Sequence, residues 1–135
     1  MSASDPYTAE TDGVIVRVRP RYMADQSDPE AGRWLWAYEV EIVNLRPETV
    51  QLLARRWTIT DGLGRVEEVR GPGVIGEQPV IAPGESHRYG SGCPLGTSSG
   101  SMVGAYLMQD AQGRRFEAAI PAFSLDTPDA RRRVN

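Results

Sequence analysis

Residues 34–42 read Trp-Leu-Trp-Ala-Tyr-Glu-Val-Glu-Ile, and this stretch decides the fold class. Every second residue is aromatic or β-branched, and Glu39 and Glu41 lie between them. A period of two is typical of a strand with one buried face, and aromatic and β-branched side chains suit a packed, pleated surface. The apolar face of this predicted strand comprises Trp34, Trp36, Tyr38, Val40 and Ile42.

The same alternation recurs along the chain, between turn signals rich in Gly, Pro and Asp. In the strand predicted near residues 50–60, the apolar residues switch from even to odd positions partway along. A β-bulge near Arg55 and Arg56 would place both sets on the same face of the sheet. No segment has a sustained helical period. About seven or eight short strands predict an all-β domain, an immunoglobulin- or fibronectin type III-like antiparallel β-sandwich. The other predicted strands lie at 14–18, 65–70, 80–81, 86–91, 101–109 and 116–120.

The chain length, 135 residues, fits one domain. We expect a flexible N-terminal segment at residues 1–12, the sandwich at 13–126 and a flexible C-terminal tail at 127–135. That tail carries three consecutive arginines, which we expect to be solvated. The first residues are polar and do not resemble a signal peptide. No run approaches the roughly 18 apolar residues of a membrane span, so we expect no membrane insertion.

Composition excludes several kinds of chemistry. The net charge is −3, which argues against a nucleic-acid partner. All basic residues are arginine, so no lysine is available to bind a phosphate or form a Schiff base. Cys93 and His87 are single, so a disulfide and a Cys/His zinc cluster are both excluded. We therefore predict a cytoplasmic protein with no catalytic residues, no metal site and no cofactor, in which Cys93 is a small buried residue and His87 a solvated one.

Residues 71–76 read Gly-Pro-Gly-Val-Ile-Gly and match the pattern G-x-G-x-x-G. In nucleotide-binding folds this pattern joins a strand to a helix, whereas here prolines follow and no helix is predicted. The favoured interpretation is a tight loop whose glycines allow positive φ. The alternative is a backbone nest that binds a phosphate-containing small ligand such as pyrophosphate or a diadenosine polyphosphate. The candidate ligand-binding residues are Arg70, Gly71, Gly73, Gly76 and Gln78.

A string of spaced motifs resembles the ApaG family and covers residues 14–125, nearly the whole chain. Upstream of Arg56, Gln26-Ser27-x-Pro29 and the strand through Trp36 also fit. The motifs are Arg56-Trp57-x-Ile59-x-Asp61, Val69-x-Gly71-x-Gly73-Val74-x-Gly76-Glu77-Gln78-Pro79, Pro83-Gly84, Tyr89-x-Ser91-Gly92-Cys93-x-Leu95, Gly100-x-Met102-x-Gly104-x-Tyr106 and Ile120-Pro121-x-Phe123-x-Leu125.

The resemblance implies a fibronectin type III-like sandwich and a bacterial cytoplasmic protein linked to cobalt tolerance and magnesium efflux. No enzymatic activity is established for the family, and similar domains in eukaryotic proteins look like interaction modules. Family members usually carry histidine before the position of Trp57. This chain has Arg56 there, so a mechanism that needs an imidazole at that position is not expected.

Three functions remain open from the sequence. The first is a non-enzymatic binding module that presents the loops at residues 71–79 and 92–101 to a protein partner. The second is a nucleotide or polyphosphate binder, and the third and least favoured is a hydrolase that uses Glu77 or His87. Pairing of exposed strand edges could also make a homodimer. The candidate partner-surface residues are Trp34, Glu77, Ser91 and Gly92.

Overall fold

A computed structural model describes residues 5–128 of the chain. These residues form nine strands and two short 3₁₀ turns, at Ala24–Gln26 and Pro29–Ala31. The strands are β1 (Tyr7–Thr11), β2 (Val14–Tyr22), β3 (Trp34–Asn44), β4 (Val50–Asp61), β5 (Val66–Pro72), β6 (Val80–Ile81), β7 (Ser86–Leu95), β8 (Gly100–Asp110) and β9 (Arg115–Leu125).

The strands build two antiparallel sheets. The first sheet has the order β1-β2-β3-β7, and the second has the order β5-β4-β8-β9, with β6 also paired to β4. Strands β1 and β2 pack against β9, which closes one side of the sandwich. The other side lies between β7 and β5, the end strands of the two sheets. The predicted all-β, immunoglobulin- or fibronectin-like sandwich is therefore confirmed.

The core lies between the two sheets and is built from the alternate residues that the sequence singled out. Trp36, Tyr38, Val40 and Ile42 are buried, whereas Trp34 is half-buried and packs against the core. Tyr38 and Phe123 both pack on the ring of Trp57, with ring centroids 5.4 and 6.0 Å from it. Aromatic pairs at such distances and tilts add to the stabilisation from buried area.

Two features of the fold differ from the sequence-based expectations. Strand β1 (Tyr7–Thr11) lies within the segment expected to be flexible and pairs with β2, so the first sheet starts at Tyr7. Strand β7 continues to Leu95, so Gly92 lies in a strand and not in the loop expected at 92–101. Of the expected C-terminal tail, Thr127 is buried, and residues 129–135 with the three arginines lie outside the described part.

The predicted bulge is also displaced. It lies between Leu52 and Ala54, and not near Arg55 and Arg56. Because of this shift Arg55 lies directly opposite the fully buried Tyr106 and shares its inward-facing side of the sheet.

Two hairpins of the second sheet share one design, in which an aspartate organises the turn after its strand. The Oδ1 atom of Asp61 accepts hydrogen bonds from the N–H groups of Leu63 and Arg65, both at 2.9 Å. Asp110 accepts the corresponding pair from Gln112 and Arg114 at the same distances. The guanidinium Nε atoms of Arg65 and Arg114 also donate hydrogen bonds to the Oδ2 atoms of Asp61 and Asp110, respectively.

These aspartates make the stability of the fold depend on acid pH. Burial disfavours the charged form of Asp61, but the hydrogen bonds and the positive charge of Arg65 have the larger combined effect. The pKa of Asp61 therefore lies below its usual value, and the pKa of Asp110 is lowered in the same way by its contacts with Arg114 and Gln112. Such a group stabilises the fold above its unfolded pKa of about 3.9 and loses that contribution as pH falls through its lower folded pKa. We expect the urea midpoint to drop below about pH 4. The urea midpoint of Asp110→Asn should fall less steeply below about pH 4 than that of the unaltered protein. Equal pH dependence of the two midpoints would contradict the stabilising role of the Asp110 carboxylate.

Candidate functional site

The glycine-rich connection between β5 and β6 is a tight hairpin and not the start of a helix. Val74 and Glu77 exchange two backbone hydrogen bonds, of 2.8 and 3.0 Å. The two residues between them, Ile75 and Gly76, have φ values of 47° and 75°. Positive φ at both central residues is the pattern of a type I′ turn, for which Asn and Gly are the ordinary residues. The interpretation of this motif as a tight loop is confirmed.

Ile75 is out of place at the first of these positions. A β-branched residue with positive φ is a genuine conformational outlier and costs on the order of 1–3 kcal/mol. Such a residue is normally tolerated when its side chain is packed in the core, but the side chain of Ile75 is 62% exposed. The tip of this hairpin therefore combines a strained backbone conformation with a solvent-exposed apolar side chain.

The loop is fastened to the bulge of β4 at several points. Gly73 donates its N–H to the carbonyl oxygen of Leu53 at 2.9 Å, and the side chain of Gln78 donates to the same oxygen at 2.8 Å. Val74 is 1% exposed and belongs to the core. A Cβ atom on Gly73 would lie 2.0 Å from the carbonyl oxygen of Glu77, so this glycine is needed for the turn to close.

Arg55 clamps the loop from the interior side. Its Nη1 atom donates to the carbonyl oxygens of Pro72 and Gly73, both at 3.0 Å. The guanidinium group lies over Gly71, where a Cβ atom would come within 2.9–3.0 Å of it. This role of Arg55 could not be predicted from the sequence, because an arginine in a strand is ordinarily assigned to the solvent face.

Three amides of the candidate anion site are bonded within the protein. The N–H groups of Gly73, Val74 and Glu77 are already bonded to protein carbonyls, so they are not available to form a nest. Arg70 lies on the edge strand β5 and contacts Glu68 at 3.6 Å, with its side chain 70% exposed. Gly73, Gly76 and Gln78 lie in one loop, and Gly71 lies in the adjoining end of β5. The bonds of Gly73 and Gln78 hold this loop as a rigid structural hairpin.

The candidate partner-surface residues fall in two places. Glu77 is exposed in the glycine hairpin. Ser91 and Gly92 lie in β7, where Ser91 faces inward with its side chain bonded to Tyr38 and Gly92 is exposed. Trp34 is half-buried at the start of β3, opposite Leu95. The structure thus brings Ser91 and Gly92 to one strand edge and leaves Trp34 against the core.

A cluster of hydroxyl groups lies beneath β7, and the sequence analysis did not anticipate it. The phenol groups of Tyr89 and Tyr106 share a hydrogen bond. Burial raises the pKa of Tyr38, Tyr89 and Tyr106, with Arg55 opposing it as a minor influence. These phenols therefore stay neutral at physiological pH and act as hydrogen-bonding core groups. Only their strand parity could have indicated the cluster from sequence.

Cys93 is not activated as a nucleophile. It is 3% exposed, and burial, with the nearby Glu67 carboxylate, raises the pKa of its thiol to about 11. Because the thiolate is the reactive form, the group stays inert at neutral pH. The prediction of a small buried cysteine is confirmed. His87 is half-buried in β7, and its ring centroid lies 6.3 Å from that of Tyr89.

Glu41, on the outer face of β3, is paired with arginines of the two neighbouring strands. Glu41 contacts Arg88 at 2.9 Å and Arg17 at 3.3 Å, and the hydrogen bond from Arg88 is the largest influence that lowers its pKa. Within residues 5–128, no group of three or more His, Cys, Asp or Glu side chains could hold a metal ion. The same residues contain no helix of the length and apolar character that crossing a membrane requires.

A groove of about 880 Å³ runs along the open end of β2, past the end of β9. Its wall carries the rings of Tyr7, Tyr22 and Trp36, and the indole N–H of Trp36 donates to the carbonyl oxygen of Asp126 at 2.9 Å. Its lining residues include both basic Arg19 and Arg21 and acidic Asp5, Glu39 and Asp126. This mixed wall selects neither anions nor cations.

Comparison with known proteins gives one consistent result. The family model described as the ApaG domain matches residues 24–110. Relatives named Protein ApaG, from Mesorhizobium japonicum and Brucella canis, are each 57% identical over 129 residues, which is 96% of this chain and 99% of theirs. A crystal structure of a Bordetella pertussis protein described as ApaA is similar with a TM-score of 0.83 and 43% identity, and covers 93% of this chain and 98% of its own.

Proposed function

The chain belongs to the ApaG family, and we propose that it serves as a protein-binding module without catalytic activity of its own. The observation that carries this proposal is Ile75, an exposed β-branched residue held at positive φ. Backbone strain clusters at functional sites, so a strained residue whose side chain does not pack in the core is a candidate functional position. Val80, five residues further on, is 66% exposed and adds a second apolar side chain to the same connection.

The rigidity of the loop supports binding to a partner. Arg55, Gln78 and the buried Val74 hold the hairpin before any partner arrives, so little conformational entropy is lost when a complex forms. An apolar tip on a fixed support is the kind of anchor that fills a pocket on a partner surface. The proposed binding surface comprises Ile75, Gly76, Glu77 and Val80.

The cellular role that we propose follows from the family resemblance, which implies cobalt tolerance and magnesium efflux in the cytoplasm. Since residues 5–128 hold no group of side chains suited to a metal ion, a direct cation sensor is disfavoured. We infer that the protein acts on cation balance through the partner that its hairpin binds.

Replacing Ile75 by asparagine should separate stability from function. Asparagine tolerates positive φ, so Ile75→Asn should stabilise the fold by roughly 1 kcal/mol in urea denaturation. The same variant should lose the apolar anchor, and we expect it to fail to restore cobalt tolerance in a strain that lacks its own copy of the gene. A stabilised protein that has lost activity cannot be explained by misfolding.

The matched control is Leu63→Asn, which removes a 73% exposed leucine from the unrelated hairpin after β4. This variant should keep full cobalt tolerance. If Ile75→Asn restores tolerance as well as the unaltered protein does, the hairpin is not the binding surface and the proposal fails.

A further inference from the structure

Strand β7 is an open edge of the first sheet. It pairs with β3 on one side, and none of the strands described in residues 5–128 pairs with its other side. The end strand β5 of the second sheet is protected, because Glu67, Glu68 and Arg70 are exposed along it and Pro72 ends it. Charged residues and proline are the usual protection of an edge against pairing. Strand β7 has a proline only near its end, at Pro94, and Arg88 is the one charged residue between Ser86 and Cys93. Its middle therefore lacks the protection that β5 has.

Two hydrogen bonds of the neighbouring strand fix which groups of β7 face outward. Leu35 donates its N–H to the Ser27 side chain and accepts from the N–H of Met23, so its backbone faces away from β7. Its partner across the strands, Pro94, therefore directs its backbone to the free edge. By alternation the N–H and carbonyl groups of Arg88, Gly90 and Gly92 also face the free edge.

The two glycines have no explanation within the fold of this chain. Neither Gly90 nor Gly92 has positive φ. A Cβ atom would meet its nearest atom at 3.7 Å on Gly90 and at 3.5 Å on Gly92, which is ordinary contact. Glycine inside a strand costs stability, and it often marks a place where another backbone approaches closely. The side chain of Arg88 is held by Glu41 at 2.9 Å, which anchors it on its own sheet.

We propose that β7 pairs antiparallel with β7 of a second copy, with Gly90 opposite Gly90 at the twofold axis. This goes beyond the proposed function, because it concerns assembly and involves none of the hairpin residues. Only this register pairs the whole of residues 86–94 with itself. It sets Arg88 opposite Gly92 and Tyr89 opposite Ser91, so large side chains meet small ones and no like charges oppose each other. Three facing pairs would exchange about six backbone hydrogen bonds.

The test uses charge at the twofold axis. The unaltered protein should sediment at twice its 14.8 kDa mass in the tens of micromolar range. Gly90→Glu should be monomeric because two carboxylates would then meet, and Gly90→Lys should be monomeric for the corresponding reason. An equimolar mixture of the two variants should form a dimer again, since opposite charges would face each other across the axis.

A control variant and a hydrogen-exchange measurement test whether the dimer forms through β7. Val103→Glu places a carboxylate at an exposed valine on the other sheet and should leave the dimer intact. Hydrogen exchange of the dimer should protect the amides of Gly90 and Gly92, and dilution to monomer should release them, while Tyr89 and Ser91 stay protected throughout. A monomeric unaltered protein, or a dimer that survives Gly90→Glu, would overturn the proposal.

Discussion

Gly104→Ala is expected to destabilise the fold by about 3 kcal/mol or more, although it adds a single methyl group. Gly104 lies in β8 opposite Trp57, where β4 and β8 approach each other closely. A Cβ atom there would lie 2.0 Å from the carbonyl oxygen of Arg56 and 3.2 Å from the Cα atom of Trp57. These are backbone atoms, so relief requires the two strands to separate and break their ladder.

The measurement is urea denaturation followed by tryptophan fluorescence, because Trp57 packs beside the altered position. Single domains are stable by only about 5–15 kcal/mol, so the variant should lose a large share of its free energy of unfolding. Gly96→Ala is the matched control: Gly96 has no positive φ, and its nearest atom would be 3.9 Å from the added carbon. That control should change stability by less than about 0.5 kcal/mol. Equal stability of the two variants would refute the close-approach argument.

This glycine illustrates what the sequence could and could not predict. The faces of β3 and β8 followed directly from alternation, because burial of every second residue leaves a pattern along one strand. The approach of β4 to Gly104 depends on a partner more than forty residues away, and no local pattern records it. The short strand β1 was missed for a related reason: Tyr7–Thr11 is mostly exposed and pairs only on one side, so it lacks an apolar face.

The position of the glycine loop was predicted from the sequence, but the contacts that hold it were not. The glycine spacing correctly indicated a tight loop at residues 71–76, since positive φ leaves a compositional signal. The role of Arg55 was hidden, because the bulge at Leu53 turns it inward and a bulge can be placed only when the partner strand is known. The length of β7 was underestimated because Gly92 and Pro94 were interpreted as part of a loop. Pro94 is tolerated in this strand because the N–H that it lacks would point away from β3, so no bond between β3 and β7 is lost.

Asn44 is a polar side chain whose loss should be among the most costly in the molecule. It is fully buried at the end of β3, and its amide nitrogen donates to the carbonyl oxygens of Glu48 and Ile81, both at 2.9 Å. Its side-chain oxygen accepts the N–H of Arg46 at 2.9 Å. The side chain of Asn44 thus links the turn after β3 to β6, and it provides a hydrogen-bond partner for two backbone carbonyl groups and one backbone N–H.

Asn44→Asp keeps the shape of this side chain and replaces the donor by an acceptor. At neutral pH the introduced carboxylate would face two carbonyl oxygens, and we expect a loss of about 3–5 kcal/mol, typical of an uncompensated buried charge. Burial and the facing carbonyls should raise the pKa of that group in the folded state. The penalty should therefore shrink as pH falls through the raised folded pKa, because the protonated acid can donate one of the lost bonds. Urea denaturation at pH 7 and pH 5 measures the difference. A penalty below about 0.5 kcal/mol at both pH values would mean that the two donor contacts of Asn44 contribute little to the fold.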